Sequence, residues 1–276
     1  YGIAVSQIAI SPWLQSQIRL SIPGEHHGSG FQCTYFNGVR FNACSVPAIL
    51  NVVTLPKAEL LSSPCTRSVE AQFTSTLLNN GQTCFLGTRI LAPQSRYAEV
   101  VDAFTAFAGS LQVGVASSPD TQIGPMATAR QRERVESYIS QGKNAGARIT
   151  VGGSRPRDLD AGFFVEPTVF ADVDNRAAIA QEEIFGPVLS VISYQDDEHA
   201  IQLANDSEFG LGGTVWTSDP ERGAALARRV HTGTIGINRY IPDPAAPFGG
   251  VKNSGLGREL GPEGLASYQE TQTIYL

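Results

Sequence analysis

Cys84 is the residue that most invites a chemical reading, in the stretch LNNGQTCFLGTRI (residues 78–90). It follows a polar turn containing a glycine and precedes small and apolar residues. Such a turn can hold a thiol out where it attacks an electrophile; a lone cysteine in a globular chain is otherwise a small buried hydrophobe. Cys33, Cys44 and Cys65 carry only the second reading. His26 and His27 lie near Cys33 and Cys44, but their spacing matches no zinc module, and no metal site is expected. His199 and His231 fall in helical or helix-end contexts and read as surface or capping residues. No local signature supports a Cys–His protease pair. A Walker A pattern is absent, and GLGRELG (residues 255–261) has one residue too many between its last two glycines for a dinucleotide fingerprint. Glycine-rich loops at GLGG and PFGG and the acidic-aromatic turn EEIFGP complete the inventory.

The elements that must position these residues alternate from about Ala71 onward. SRYAEVVDAFTAFAGSL (95–111) has helical apolar spacing with Ser95 as a candidate N-cap, and ARQRERVESYISQGKNAG (129–146) is a charged amphipathic helix. ARITVGG and GFFVEPTVF read as strands, with Pro167 favouring an edge or bulge. FGPVLSVISY (185–194) reads as a buried strand, followed by DDEHAIQLAND as a helix with an acidic start. GGTVWTS, DPERGAALARRV with Asp219 as N-cap and Pro220 at the first position, and GTIGIN form a strand–helix–strand unit. TQTIYL at the C-terminus alternates as an exposed or subunit-pairing edge strand would. This order predicts an α/β fold with a largely parallel sheet.

A chain of 276 residues can bury a sizeable core, and 42% hydrophobic with 17% charged residues is ordinary for a globular protein. A net charge of −6 with scattered Lys and Arg argues against nucleic acid as a partner. No apolar run is long enough to span a bilayer, so no membrane partner is expected, and the N-terminus lacks the basic start of a signal peptide. Few cysteines and no secretory signal predict reduced thiols in the cytoplasm. Residues 1–70 hold only seven charged residues, against 39 in the other 206.

The sequence resembles the aldehyde dehydrogenase superfamily. The resemblance rests on NNGQTC (79–84), Gly124–Pro125, GFFVEPTVF (162–170), QEEIFGPVLSV (181–191), ANDSEFGLGGTVWT (204–217), GTIGIN (233–238) and PFGGVKNSGLGRELG (247–261), in the family's order over roughly residues 72–276. It implies that Cys84 is the nucleophile of an aldehyde oxidation to a carboxylic acid, through a thiohemiacetal and a thioester, with NAD or NADP as hydride acceptor. It assigns Glu183 and Phe185 to the nicotinamide ribose, and Gln131 and Arg134 to positions near the cofactor's other ribose. Asn238 and Phe248 match active-site or substrate-pocket positions, with PFGG in the aldehyde tunnel wall. It also implies a homo-oligomer, or assembly with intact homologous subunits, partly through the strand matched by TQTIYL.

The pattern breaks before Ala71. In the family a glutamate about 34 residues ahead of the cysteine is the general base, but that position is Leu50, and VVTL (52–55) runs into Pro56. Nothing in residues 1–50 resembles the cofactor domain. The expected organisation is an atypical region over 1–70 in place of most of that domain, an aldehyde dehydrogenase-type catalytic domain over 71–262, and a C-terminal oligomerisation-type segment over 263–276. A truncated or frame-disrupted gene would give this pattern. The expected activity is therefore an impaired aldehyde dehydrogenase. The alternatives are an inactive assembly module with intact subunits, or residual thiol esterase activity at Cys84.

Overall fold

A computed structural model describes residues 76–276. In chain order the elements are β1 (Arg89–Pro93), α1 (Tyr97–Ser110), α2 (Ala129–Asn144), β2 (Arg148–Val151), β3 (Thr168–Ala171), α3 (Ala178–Gln181) and β4 (Val188–Tyr194). They continue with α4 (Asp197–Asn205), β5 (Phe209–Gly210), β6 (Thr214–Val215), α5 (Pro220–Ala227), β7 (Gly236–Ile237), β8 (Val251–Lys252) and α6 (Gly261–Ala266). The main sheet has the order β1-β4-β3-β2. β1 and β3 run parallel to β4, and β2 pairs antiparallel with β3. The fold is thus α/β with a mostly parallel main sheet, as the alternation of signals predicts.

β4 is the central strand because its residues are apolar and β-branched on both faces, which only a sheet covered on both sides rewards. Val188, Leu189, Val191 and Ile192 are all buried. Against the sheet lie two amphipathic helices. α1 buries Val100, Val101, Phe104, Phe107 and Ala108, and α2 buries Val135, Tyr138, Ile139 and Gly142, both at helical spacing. Gly142 is a close-approach residue: a Cβ there would stand 2.8 Å from the Phe170 ring. Fully buried Phe104 and Phe170 are each worth about 3–5 kcal/mol against truncation to alanine.

Caps set the helix starts. Thr128 Oγ1 accepts from the Gln131 N–H at α2, Asp196 from His199 at α4, and Asp219 from Arg222 at α5, where Pro220 takes the first position. The Gln195 N–H donates to His199 Nδ1, so His199 belongs to the start of α4. The predicted strand–helix–strand unit is present as β6–α5–β7, with β6 and β7 parallel.

Three local expectations change. Ser95 does not cap α1: it lies in a 3-10 turn, Arg96 takes the cap position, and Arg96 pairs with Glu99 instead. Pro167 marks neither an edge strand nor a bulge of its own strand. It ends just before β3, which has neighbours on both sides, while the register break lies opposite, between Ile149 and Val151 of β2. TQTIYL forms no strand among the described residues, and Ile274, Tyr275 and Leu276 are largely exposed. No helix among the described residues is long and apolar enough to cross a membrane. The cysteines and histidines before residue 76, Leu50 and Pro56 lie outside the described residues, as does the proposed region 1–70.

Candidate active site

β1 and β4 are adjacent and parallel, so the segments leading into them meet at their amino ends. Cys84 lies five residues before β1, and the 183–186 loop leads into β4, with the Ser190 N–H bonded to the Thr88 carbonyl at 2.9 Å. This pairing brings the segment that carries Cys84 against the loop that carries Glu183, with Gly81 meeting Gly186.

The cysteine turn itself is unusual backbone. Asn79, Asn80 and Gly81 have φ of 53°, 59° and 74°, a left-handed run that asparagine and glycine tolerate and β-branched residues do not. The run folds the chain back and leaves Cys84 exposed as a free thiol. Side chains then tie the turn down. Asn80 Oδ1 accepts from the Gly124 N–H at 2.7 Å and Asn80 Nδ2 donates to the Pro125 carbonyl at 3.3 Å. Gln82 Oε1 accepts from the Ala127 N–H at 3.0 Å. Gly81 lies directly beneath Gly186.

Glu183 and Phe185 occupy the facing loop, where Phe185 has φ of 55°. The Glu183 carboxylate makes no hydrogen bond among the described residues. Partial burial pushes its pKa up from the usual glutamate value, and the Arg134 guanidinium offsets part of that rise. Although the side chain still reaches solvent, the packing of the loop removes enough water to disfavour the charge.

Gln131 and Arg134 are engaged by this loop. Gln131 Nε2 donates to the carbonyls of Ile184 (3.1 Å) and Phe185 (2.6 Å). Arg134 Nη2 donates to the Glu183 carbonyl (2.5 Å) and to Tyr138 Oη (3.0 Å). The Tyr138 hydroxyl in turn donates to Glu182 at 2.6 Å. Asn238 likewise spends its amide on protein: Oδ1 accepts from the Thr217 N–H at 2.7 Å and Nδ2 donates to the Thr217 carbonyl at 2.6 Å.

Phe248 does stand beside the cysteine turn. Its ring meets the Phe85 ring edge-on at 6.1 Å, and Phe85 also packs against Tyr240 at 5.5 Å. Tyr240 is buried, its phenol pKa raised first by burial and further by the nearby Cys84. Phe85 and Tyr240 are not signalled by their sequence context, apart from Phe85 following the cysteine directly. Asn80 and Gln82 fall within the NNGQTC motif, but their bonding partners, more than 40 residues away, are not signalled.

A second group supports the same end of the sheet. Arg89, the first residue of β1, is buried, with its guanidinium bonded to Asn175 Oδ1 (2.9 Å) and the carbonyls of Ala204 (2.9 Å) and Asp206 (3.2 Å). Burial lowers its pKa to about 10, against a raising influence from Asp206. Lys252 Nζ donates to the Asn205 and Ser207 carbonyls, both at 2.8 Å. No group of three or more His, Cys, Asp or Glu side chains suited to a metal occurs among the described residues.

Residues 63–274 match the model of the aldehyde dehydrogenase family. The chain belongs to the aldehyde dehydrogenase family. It is 56% identical over 202 residues to the geranial dehydrogenase of Castellaniella defragrans, covering 73% of this chain and 42% of that protein. Among solved structures it is similar to the Mycobacterium tuberculosis aldehyde dehydrogenase complexed with NAD+, at 52% identity and a TM-score of 0.74, covering 78% of this chain and 44% of that one. The NAD+ complex of the Bacillus cereus aldehyde dehydrogenase is similar at 38% identity and a TM-score of 0.76, covering 83% of this chain and 46% of that one. This chain therefore spans less than half the length of these relatives. As an aldehyde dehydrogenase-family chain it has the family's α/β fold, in partial form.

Proposed function

We propose that this chain carries the thiol half of an NAD(P)+-dependent aldehyde oxidation, with Cys84 as nucleophile. The carrying observation is an exposed thiol on a left-handed turn fixed against the loop that bears Glu183 and Phe185. The Cys84 thiolate attacks the aldehyde carbon and forms a carbon–sulfur bond as the carbonyl π bond opens; the oxygen takes the charge, and the Cys84 N–H serves to stabilise it. NAD(P)+, when bound, supplies the acceptor for the hydride that leaves this carbon. The Glu183 carboxylate, free of donors among the described residues, suits the two hydroxyls of a ribose, and Phe185 supplies apolar contact. Gln131 and Arg134 serve the same cofactor by holding that loop. Water must then cleave the thioester to release the acid. The family's glutamate base is missing from its matching position, so turnover is expected to be weak.

Phe85, Tyr240 and Phe248 offer apolar walls, which suit an apolar aldehyde of the kind named for the relative that acts on geranial. Asn238, bonded twice to Thr217, fixes the chain two residues before Tyr240. The test is a panel of aldehydes including geranial and betaine aldehyde, read by the appearance of reduced nicotinamide, with iodoacetamide labelling of the same sample. Rapid, selective labelling of Cys84 with slow turnover is expected. A Cys84 that labels no faster than the other cysteines sinks the reading.

A second reading is an assembly module that pairs with a further copy or with intact homologous subunits in the cytoplasm. The exposed side chains of Tyr268, Ile274, Tyr275 and Leu276 favour it. Co-purification with a full-length relative, lost on deleting residues 271–276, would support it. Hydrolysis of an activated ester by Cys84 without nicotinamide tests the esterase alternative.

A further inference from the structure

The contacts around Cys84 close into a ring. From the cysteine turn, Asn80 and Gln82 bond the 124–127 segment. That segment leads into α2 through the Thr128 cap. From α2, Gln131 and Arg134 grip the carbonyls of Glu183, Ile184 and Phe185, and Val135 packs where a Cβ on Gly186 would stand only 2.4 Å from it. Gly186 then returns to the cysteine turn against Gly81. Each hydrogen bond in the circuit joins a side chain to backbone, and the close approach of the Gly81 and Gly186 backbones completes it.

We propose that Asn80 is a positioning residue that, through this ring, sets the placement of the Cys84 turn relative to the Glu183–Phe185 loop. The proposal rests on Cys84 and Glu183 being the reacting and cofactor-holding groups. Asn80 suits the task in two ways. Its amide both accepts from Gly124 and donates to Pro125, a pairing no single-function side chain reproduces. It also tolerates the positive φ the turn needs. A closed ring differs from independent contacts in one measurable respect: cutting it at either of two distant points releases the whole, and a second cut adds little.

Hydrogen exchange in the intact chain reads this. Gln131→Ala touches neither Gly124 nor Asn80, and Asn80→Gly keeps the left-handed backbone while removing both bonds. Gln131→Ala should speed exchange of the Gly124 amide at least about fivefold, and Asn80→Gly should do the same at Val188, whose N–H bonds the Gly186 carbonyl at 2.8 Å. The double variant should fall well short of the product of the two effects. Val173, bonded to Val191 midway along β4 and outside the ring, should be unchanged. An unmoved Gly124 amide in Gln131→Ala overturns the proposal, as does a multiplicative double variant or an equal acceleration at Val173. Should Asn80→Gly fail to fold, the Gln131→Ala arm decides alone. Failure of the Cys84 chemistry would appear in labelling and turnover and leave these exchange rates unaffected, so the two ideas fail separately.

Discussion

Gly81 and Gly186 meet backbone to backbone: a Cβ built on Gly81 would stand 2.1 Å from the Gly186 carbonyl oxygen. With φ of 74° as well, the site tolerates no side chain. Gly81→Ala should cost at least about 2–3 kcal/mol, since a clash with backbone adds to the left-handed strain. Thermal unfolding should show a Tm lower by roughly 4–12 °C.

Cys84→Ser removes the thiol while keeping the turn. Iodoacetamide labelling at position 84 should vanish, and any hydrolysis of an activated ester should fall at least about a thousandfold. Circular dichroism should be unchanged. Ester cleavage that survives in the variant would assign that activity elsewhere.

Glu183 gives a pH signature. Burial holds its pKa above the ordinary glutamate value of 4.5. The folded chain then keeps the proton to higher pH than the unfolded chain, so this group's contribution is present at low pH and is lost as pH rises through the folded value. Glu183→Gln cannot titrate. Its Tm advantage over the natural sequence should widen between about pH 4 and about pH 7, and a gap independent of pH would contradict the burial argument.

Tyr240 is a hydrogen-bond donor by counting. The Thr234 hydroxyl donates its one hydrogen to the Leu211 carbonyl at 2.7 Å, so the contact between the two hydroxyls must use the hydrogen of Tyr240. Tyr240→Phe should cost about 1 kcal/mol and lower Tm by about 2–4 °C, with the Phe85 contact retained. A calorimetric scan suffices to check it.

Arg89→Met would leave Asn175 Oδ1 and the Ala204 carbonyl without their guanidinium donor inside the protein. The expected cost is about 3 kcal/mol, read as a shifted urea midpoint with unchanged slope.

The legible part of this molecule was the part written locally. Asp196, Asp219 and Pro220 announce helix starts within four residues of what they cap, and apolar β4 announces a strand covered on both faces. Cys84, Glu183, Phe185 and Phe248 were named from motif order. Ser95 failed as a cap because Arg96 found Glu99 one turn on. Pro167 misleads because a proline can stand just outside a central strand without removing any ladder bond. The engagement of Gln131, Arg134 and Asn238 by backbone was invisible, since each partner is 21 to 54 residues distant and has no sequence mark of its own.

All members of the ring around Cys84 fall between Asn80 and Gly186, so among the described residues the cysteine turn is tied down by a single stretch of chain. Geometry and chemical competence can then be lost at different rates over generations. A descendant that has exchanged the residues supplying its base would still present the thiol in the ancestral pose. Such a chain is a ready recipient: any segment that restores a carboxylate near Cys84 meets an exposed thiol already held on its turn.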